Sequence, residues 1–255
     1  MMFKLIQILL VSMLFFVTTT NLSAKPDAND DGYYTSKDRE FYLTSNELYF
    51  IRPGLELEIL EVTIPQDRQL EVRFILSDPG GLALDRGGIT TPGRVSTSFI
   101  LSYIPEGEEA YVAYTTRVQT SPITNDSATQ ASTDSGGNYT DLGDGQYMYK
   151  FNTVLPADYN TDATHTLGIY ARRDLREFDL DRYVTNELEH FVPSGLSAPV
   201  PRDIVTTATC NGRCHDPLAM HGGSRQEVGL CILCHNPSQG IDPDTGSSVN
   251  FPIMI

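Results

Sequence analysis

The sequence predicts a mainly β protein: an N-terminal antiparallel Greek-key β-sandwich or split barrel, followed by an irregular segment with little regular secondary structure. Three observations carry this. Apolar and polar residues alternate with period 2 in stretches between residues 41 and 192. Turn signals rich in Gly, Pro and Asp separate those stretches. Both patterns stop near residue 200, and the chain then places all four cysteines and three of its five histidines between Cys210 and His235.

In chain order, Lys4 precedes an apolar run from Leu5 to Val17, and polar residues lead to a small residue, Ala24. This is the layout of a secretory signal peptide over residues 1–24, and the run is short for a membrane span. Residues 25–40 read as a polar lead-in. Asp27-Ala28-Asn29-Asp30-Asp31-Gly32, with Asp38 at the twelfth position, also matches the opening of a calcium loop, although no amphipathic helix flanks it.

Residues 41–192 read as the β domain. Leu55, Leu57 and Ile59 alternate with Glu56 and Glu58, Leu70 to Leu76 with Glu71 to Ile75, and Tyr147 to Phe151 with Met148 and Lys150. Such alternation places one face of a sheet in a core and the other in water. Further strands are expected at 96–104, 110–117 and 165–172, and Gln119 to Gln146 reads as a surface excursion. His165 alternates with Leu167 and Ile169 and reads as a buried or edge histidine. His190 reads as a surface residue. Residues 193–201 form a Pro/Gly/Ser-rich linker, and residues 202–255 are the final segment.

Hydrophobic content of 40% suffices for one or two packed domains. With 33 acidic against 18 basic residues, the net charge of −15 argues against nucleic acid and anionic lipid as partners.

The final segment carries the chemistry. Cys231-Ile232-Leu233-Cys234-His235 is the C-x-x-C-H pattern of c-type haem attachment. Two thiols a short turn apart form thioethers with the two haem vinyl groups, and the following histidine lies under the iron. Cys210-Asn211-Gly212-Arg213-Cys214-His215 repeats the pattern with one extra residue between the cysteines, and His221 lies between the pairs. A four-cysteine zinc ribbon or two disulfides also fit the broad spacing. Neither explains a histidine directly after both pairs.

The residues Asp216 to Arg225, Leu230 to Pro237 and Asp244-Thr245-Gly246 resemble the OmcA/MtrC family of outer-surface multihaem c-type cytochromes. In the β region, Thr90 to Phe99 and Thr164 to Ala171 look like family segments. The resemblance implies a Greek-key β domain, then a haem domain whose irons each take two histidines. Cys210, Cys214, Cys231 and Cys234 would bind two haem c groups, with His215 and His235 as proximal ligands. His221 would be a distal ligand to one of these haems or to a neighbour. Filled axial positions imply an electron relay and not an enzyme. The implied partners are upstream periplasmic or outer-membrane redox proteins and extracellular metal or flavin acceptors, with localisation in the periplasm or on the outer cell surface. Family members continue past the position of Phe251 to Ile255, so the sequence reads as the start of a multihaem domain, with further histidine ligands expected downstream. Two other readings differ in class: a secreted β-sandwich binding protein with a zinc or disulfide appendage, and a multihaem reductase with one open iron site.

Overall fold

The alternating stretches fold as strands, and the computed structural model describes them within residues 33–250. The signal-peptide and calcium-loop readings, at residues 1–24 and 27–32, lie outside the described residues, as do residues 251–255. One four-stranded antiparallel sheet has the order β1-β2-β8-β7, built from Glu56–Thr63, Gln69–Ser77, Gln146–Val154 and Asn138–Gly143. The second has the order β10-β9-β3-β4, built from Arg182–Phe191, His165–Asp174, Val95–Tyr103 and Val112–Ala113. The chain crosses from the first sheet to the second after β2 and again after β8, the crossings that make a sandwich of two faces.

Between those faces lies the main core. Leu70, Val72, Phe74 and Leu76 of β2 and Tyr147, Tyr149 and Phe151 of β8 meet Phe99 and Leu101 of β3 and Leu167, Ile169 and Ala171 of β9. The rings of Phe99 and Tyr149 stack across the interface with centroids 4.1 Å apart. His165 is fully buried, as expected, with Nδ1–H donating to the Ala163 carbonyl at 3.0 Å and Tyr114 at 3.1 Å from Nε2. Arg173, also fully buried, has its guanidinium in an all-carbonyl cage, donating to Ile51, Arg52, Gly54 and Pro92. Burial lowers its pKa to about 10, which leaves it charged at neutral pH.

Three local expectations are corrected. The strand-like pattern does not begin at Phe41: Arg39–Tyr42 is a 3-10 turn and Ser45–Ile51 is helix α1. A capping box starts α1, with Thr44 Oγ1 accepting from Glu47 N–H and the Glu47 carboxylate accepting from Thr44 N–H. The strand expected at 110–117 splits into β4 and β5 (Thr116–Thr120). The excursion from Gln119 to Gln146 contains two strands: β6 (Ser127–Ala131), which pairs with β5 as a hairpin, and β7.

The second sheet is covered on its outer face as well. Ile100 of β3, Tyr170 of β9 and Leu188 of β10 pack against a second apolar cluster from the final segment, including Leu218, Val228, Leu230, Ile232 and Leu233. Two-sided burial explains the nearly continuous apolar character of Phe99-Ile100-Leu101 and of His165 to Ala171. Gly168 marks the tightest approach. A Cβ there would lie 2.6 Å from Leu230 Cδ2 and 2.7 Å from Leu233 Cδ1.

Candidate haem site

Helix α2 (Thr207–Asn211) is capped by Thr206 and carries Cys210 in its last turn. Helix α3 (Val228–Cys234) carries Cys231 and Cys234 three residues apart, hence on one helical face, with His235 just beyond its end. Leu230 and Leu233 turn to the sheet, and this packing points the cysteine face away from it. Thr207 ties the two helices together: its hydroxyl donates to the Glu227 carboxylate at 2.6 Å and accepts from Val228 N–H at 2.8 Å.

The extra residue in the first motif is absorbed by its backbone. In the second motif, His235 N–H donates to the Cys231 carbonyl at 2.9 Å, an ordinary i to i−4 helical bond. In the first, both Cys214 N–H and His215 N–H donate to the Cys210 carbonyl at 3.1 Å. The second of those bonds spans five residues, the local widening of a π-bulge. Each histidine is therefore closed onto the carbonyl of its motif's first cysteine, whatever the loop length.

His221 stands at the tip of a Met220–Arg225 turn in the left-handed region, with φ of 51°, and is followed by Gly222 and Gly223, also at positive φ. Histidine is among the non-glycine residues that tolerate this conformation, and the two glycines supply the rest of the turn without strain. Asn186 of β10 fixes the exit of that turn. Its Oδ1 accepts from Gln226 N–H at 2.7 Å and Glu227 N–H at 3.1 Å, and its Nδ2 donates to the Ser224 carbonyl at 3.0 Å.

These elements enclose a cavity of about 410 Å³ lined by Cys231, Cys234, His235, His221 and Met220. The imidazoles of His221 and His235 face each other with centroids 5.9 Å apart and planes at 28°, too distant for stacking contact. The Nδ1–H of His235 donates to the Val249 carbonyl at 2.8 Å, which leaves the Nε2 lone pair free for a metal. Burial lowers the His221 pKa, and Arg225 and His235 lower it further, so the ring is held neutral, the form that ligates. Burial raises the Cys231 thiol and pushes Cys234 up to about 11. Both side chains therefore remain neutral thiols at neutral pH.

The residues fit haem c. The donor set is the one haem c requires: two thiols for thioethers, and two imidazoles 5.9 Å apart that would hold an iron. The two cysteines line the same cavity. Among the described residues, no three His, Cys, Asp or Glu side chains converge as a metal-ion site, and the four cysteines are free.

Of the residues singled out in the sequence, four come together in this cavity: Cys231, Cys234, His235 and His221. Cys210 packs against the same apolar cluster as α3, near enough to raise the Cys231 thiol electrostatically. Cys214 and His215 are exposed and do not line the cavity. His190 is half-buried, with Nδ1 at 2.8 Å from the Thr166 hydroxyl, and is also outside it. Sequence reasoning missed Asn186 and Gln239. The Gln239 amide brackets Ala113, accepting from its N–H at 2.7 Å and donating to its carbonyl at 2.8 Å. No periodicity or motif marks either residue. A larger cleft of about 640 Å³, lined by Glu108, Glu109 and residues 200–204, contains no cysteine or histidine.

Residues 202–255 match the family model described as outer membrane cytochrome MtrC/MtrF-like, domains II/IV. The fold is similar to that of the outer membrane decahaem cytochrome OmcA, with a TM-score of 0.59 and 21% identity over 79% of this chain and 32% of that one. It is likewise similar to MtrC from Shewanella baltica OS185, with a TM-score of 0.55, 21% identity and the same coverage. The chain thus spans about a third of the length of either structure. No curated protein matches it. The resemblance to the OmcA/MtrC family read from the sequence is borne out as a resemblance: residues 202–255 match the MtrC/MtrF-like family model, and the mainly antiparallel β fold is similar to those of OmcA and MtrC.

Proposed function

We propose that this chain is part of an exported multihaem c-type cytochrome of the outer cell surface that relays electrons and transforms no substrate at an open iron site. The observation that carries the reading is the facing pair His221 and His235, 5.9 Å apart, in the cavity that also holds Cys231 and Cys234. Haem c supplies one-electron exchange at its iron when bound. The chain's residues do the rest. Cys231 and Cys234 would fasten the group as thioethers, and His235 and His221 would be the two histidines that hold its iron. Val249, through His235 Nδ1, fixes the proximal tautomer.

Cys210, Cys214 and His215 form a second attachment site, supported by the shared closure onto the carbonyl of the first cysteine. The division into a β domain at 41–192, a linker at 193–201 and a haem segment from 202 follows the sequence reading. Upstream redox proteins are the electron donors. By the relationship to OmcA and MtrC, the acceptors are extracellular metal oxides, metal complexes or flavins.

The test is to export and mature the full chain in a bacterium with cytochrome c maturation, then record intact mass and visible spectrum. A mass increase of two haems with a low-spin Soret band supports the reading. Loss of one haem in Cys231→Ala/Cys234→Ala assigns it to that motif. A protein without covalent haem, holding zinc or two disulfides, overturns it.

A further inference from the structure

Two guanidinium groups line the cavity of His221 and His235, those of Arg117 and Arg225. Neither makes an ion pair with a carboxylate among the described residues; the ion pairs there use Arg73, Lys150, Arg176 and Arg182. That is notable in a chain with 33 acidic and 18 basic residues, where carboxylates are abundant. A guanidinium stays charged under all ordinary conditions and is shaped to hold a carboxylate. Arg117 has only a neutral partner, Gln130 Oε1 at 3.3 Å. Arg225 donates to the Tyr170 hydroxyl at 3.2 Å and lies 4.7 Å from the centre of that ring. The other polar lining groups, Gln130, Ser132 and Gln239, are uncharged.

Arg117 belongs to β5, far upstream of the linker in the chain, yet its hairpin is built into the site. Gln130 Nε2 donates to the Ile241 carbonyl at 2.7 Å, and Ala131 N–H to the Gln239 carbonyl at 3.4 Å. We propose that the β5–β6 hairpin is a wall of the haem site and that Arg117, together with Arg225, holds the carboxylate-bearing edge of the porphyrin. The inference rests on the haem reading above. It assigns the β domain a direct electrostatic role: fixed positive charge at the porphyrin edge would disfavour the ferric state and raise the reduction potential.

The test uses the full matured chain. Intact mass first establishes covalent haem, and redox titration then compares wild type with Arg117→Gln, Arg117→Lys and a remote charge control, Lys37→Gln. The expected result is a lower potential for one haem in Arg117→Gln, roughly a tenfold change in its oxidised-to-reduced ratio, or about 59 mV for one electron. Arg117→Lys keeps most of the wild-type potential, and Lys37→Gln keeps all of it. Haem attached with an unshifted potential in Arg117→Gln overturns this inference and leaves the cytochrome reading standing. So does an equal fall in Arg117→Lys, which would assign the effect to shape and not to charge. Absence of covalent haem in every protein overturns both.

Discussion

The two Cys–Cys–His motifs have almost the same local chemistry and very different surroundings. Cys231 and Cys234 ride on a helix whose opposite face is locked against the sheet through Leu230 and Leu233, and their cavity takes walls from β5, β6 and the 220–225 turn. Cys210 sits in the last turn of a five-residue helix and Cys214 in the turn after it, with Cys214 and His215 exposed. Motif spacing identifies both. Packing makes only the second a pre-shaped pocket with a facing histidine.

The largest expected effect separates the motifs by ligand. Replacing His221 with Ala should leave both haems attached but convert one from low-spin to a form that binds carbon monoxide, read from the visible spectrum. If His215→Ala and His221→Ala gave the same spectral change at the same haem, the assignment of His221 to the His235 site would fall.

Next comes the support of the turn. Asn186→Ala leaves Gln226 N–H, Glu227 N–H and the Ser224 carbonyl without their side-chain partner, a cost of about 1–3 kcal/mol. Urea titration should show the loss, and the spectrum of the first-motif haem should not change. Gly168→Ala inserts a methyl group between β9 and α3, with an expected cost of about 1–3 kcal/mol from overpacking. A stability equal to wild type would mean that α3 does not seat against the sheet as described.

A smaller effect concerns the sandwich, which contains the buried His165. Burial lowers its pKa below the ordinary value of about 6.5, so the folded chain keeps it neutral while the unfolded chain takes up a proton. Stability from this group is present above about pH 6.5 and is lost as pH falls below it. His190 shifts in the same direction, also by burial. Urea titrations at pH 8 and pH 5.5 should show lower stability at the acid value and a reduced difference in His165→Gln. The exposed carboxylates with lowered pKa values, such as Asp38 and Asp67, act in the same direction only at more acid pH, near their own titration range.

Much of this molecule is legible from local pattern. One-sided strands such as β2 and β8 announce themselves by alternation, because water on one face and core on the other force a period of 2. The C-x-x-C-H motif is legible because covalent attachment needs two thiols and a ligand within one turn. The 41–51 segment misled because the aromatic residues of Phe41-Tyr42 and Tyr49-Phe50 look strand-like. The Thr44–Glu47 cap overrides that preference. The β5–β6 hairpin was hidden because its residues are polar, and it gains its place from hydrogen bonds of Gln130 and Ala131 to residues more than a hundred positions away.

The sequence by itself thus determined the class of fold and the two Cys–Cys–His motifs on which the haem proposal rests, all properties of residues close together in the chain. Which proximal histidine His221 faces, that Asn186 anchors its turn, and that Arg117 reaches the cavity were decided by tertiary structure alone. The reason is physical. The first two depend on two-sided burial of β3 and β9, which docks α3 and the turn against a sheet formed long before them in the chain, and the third on hydrogen bonds from β6 to Gln239 and Ile241; no local periodicity encodes either contact.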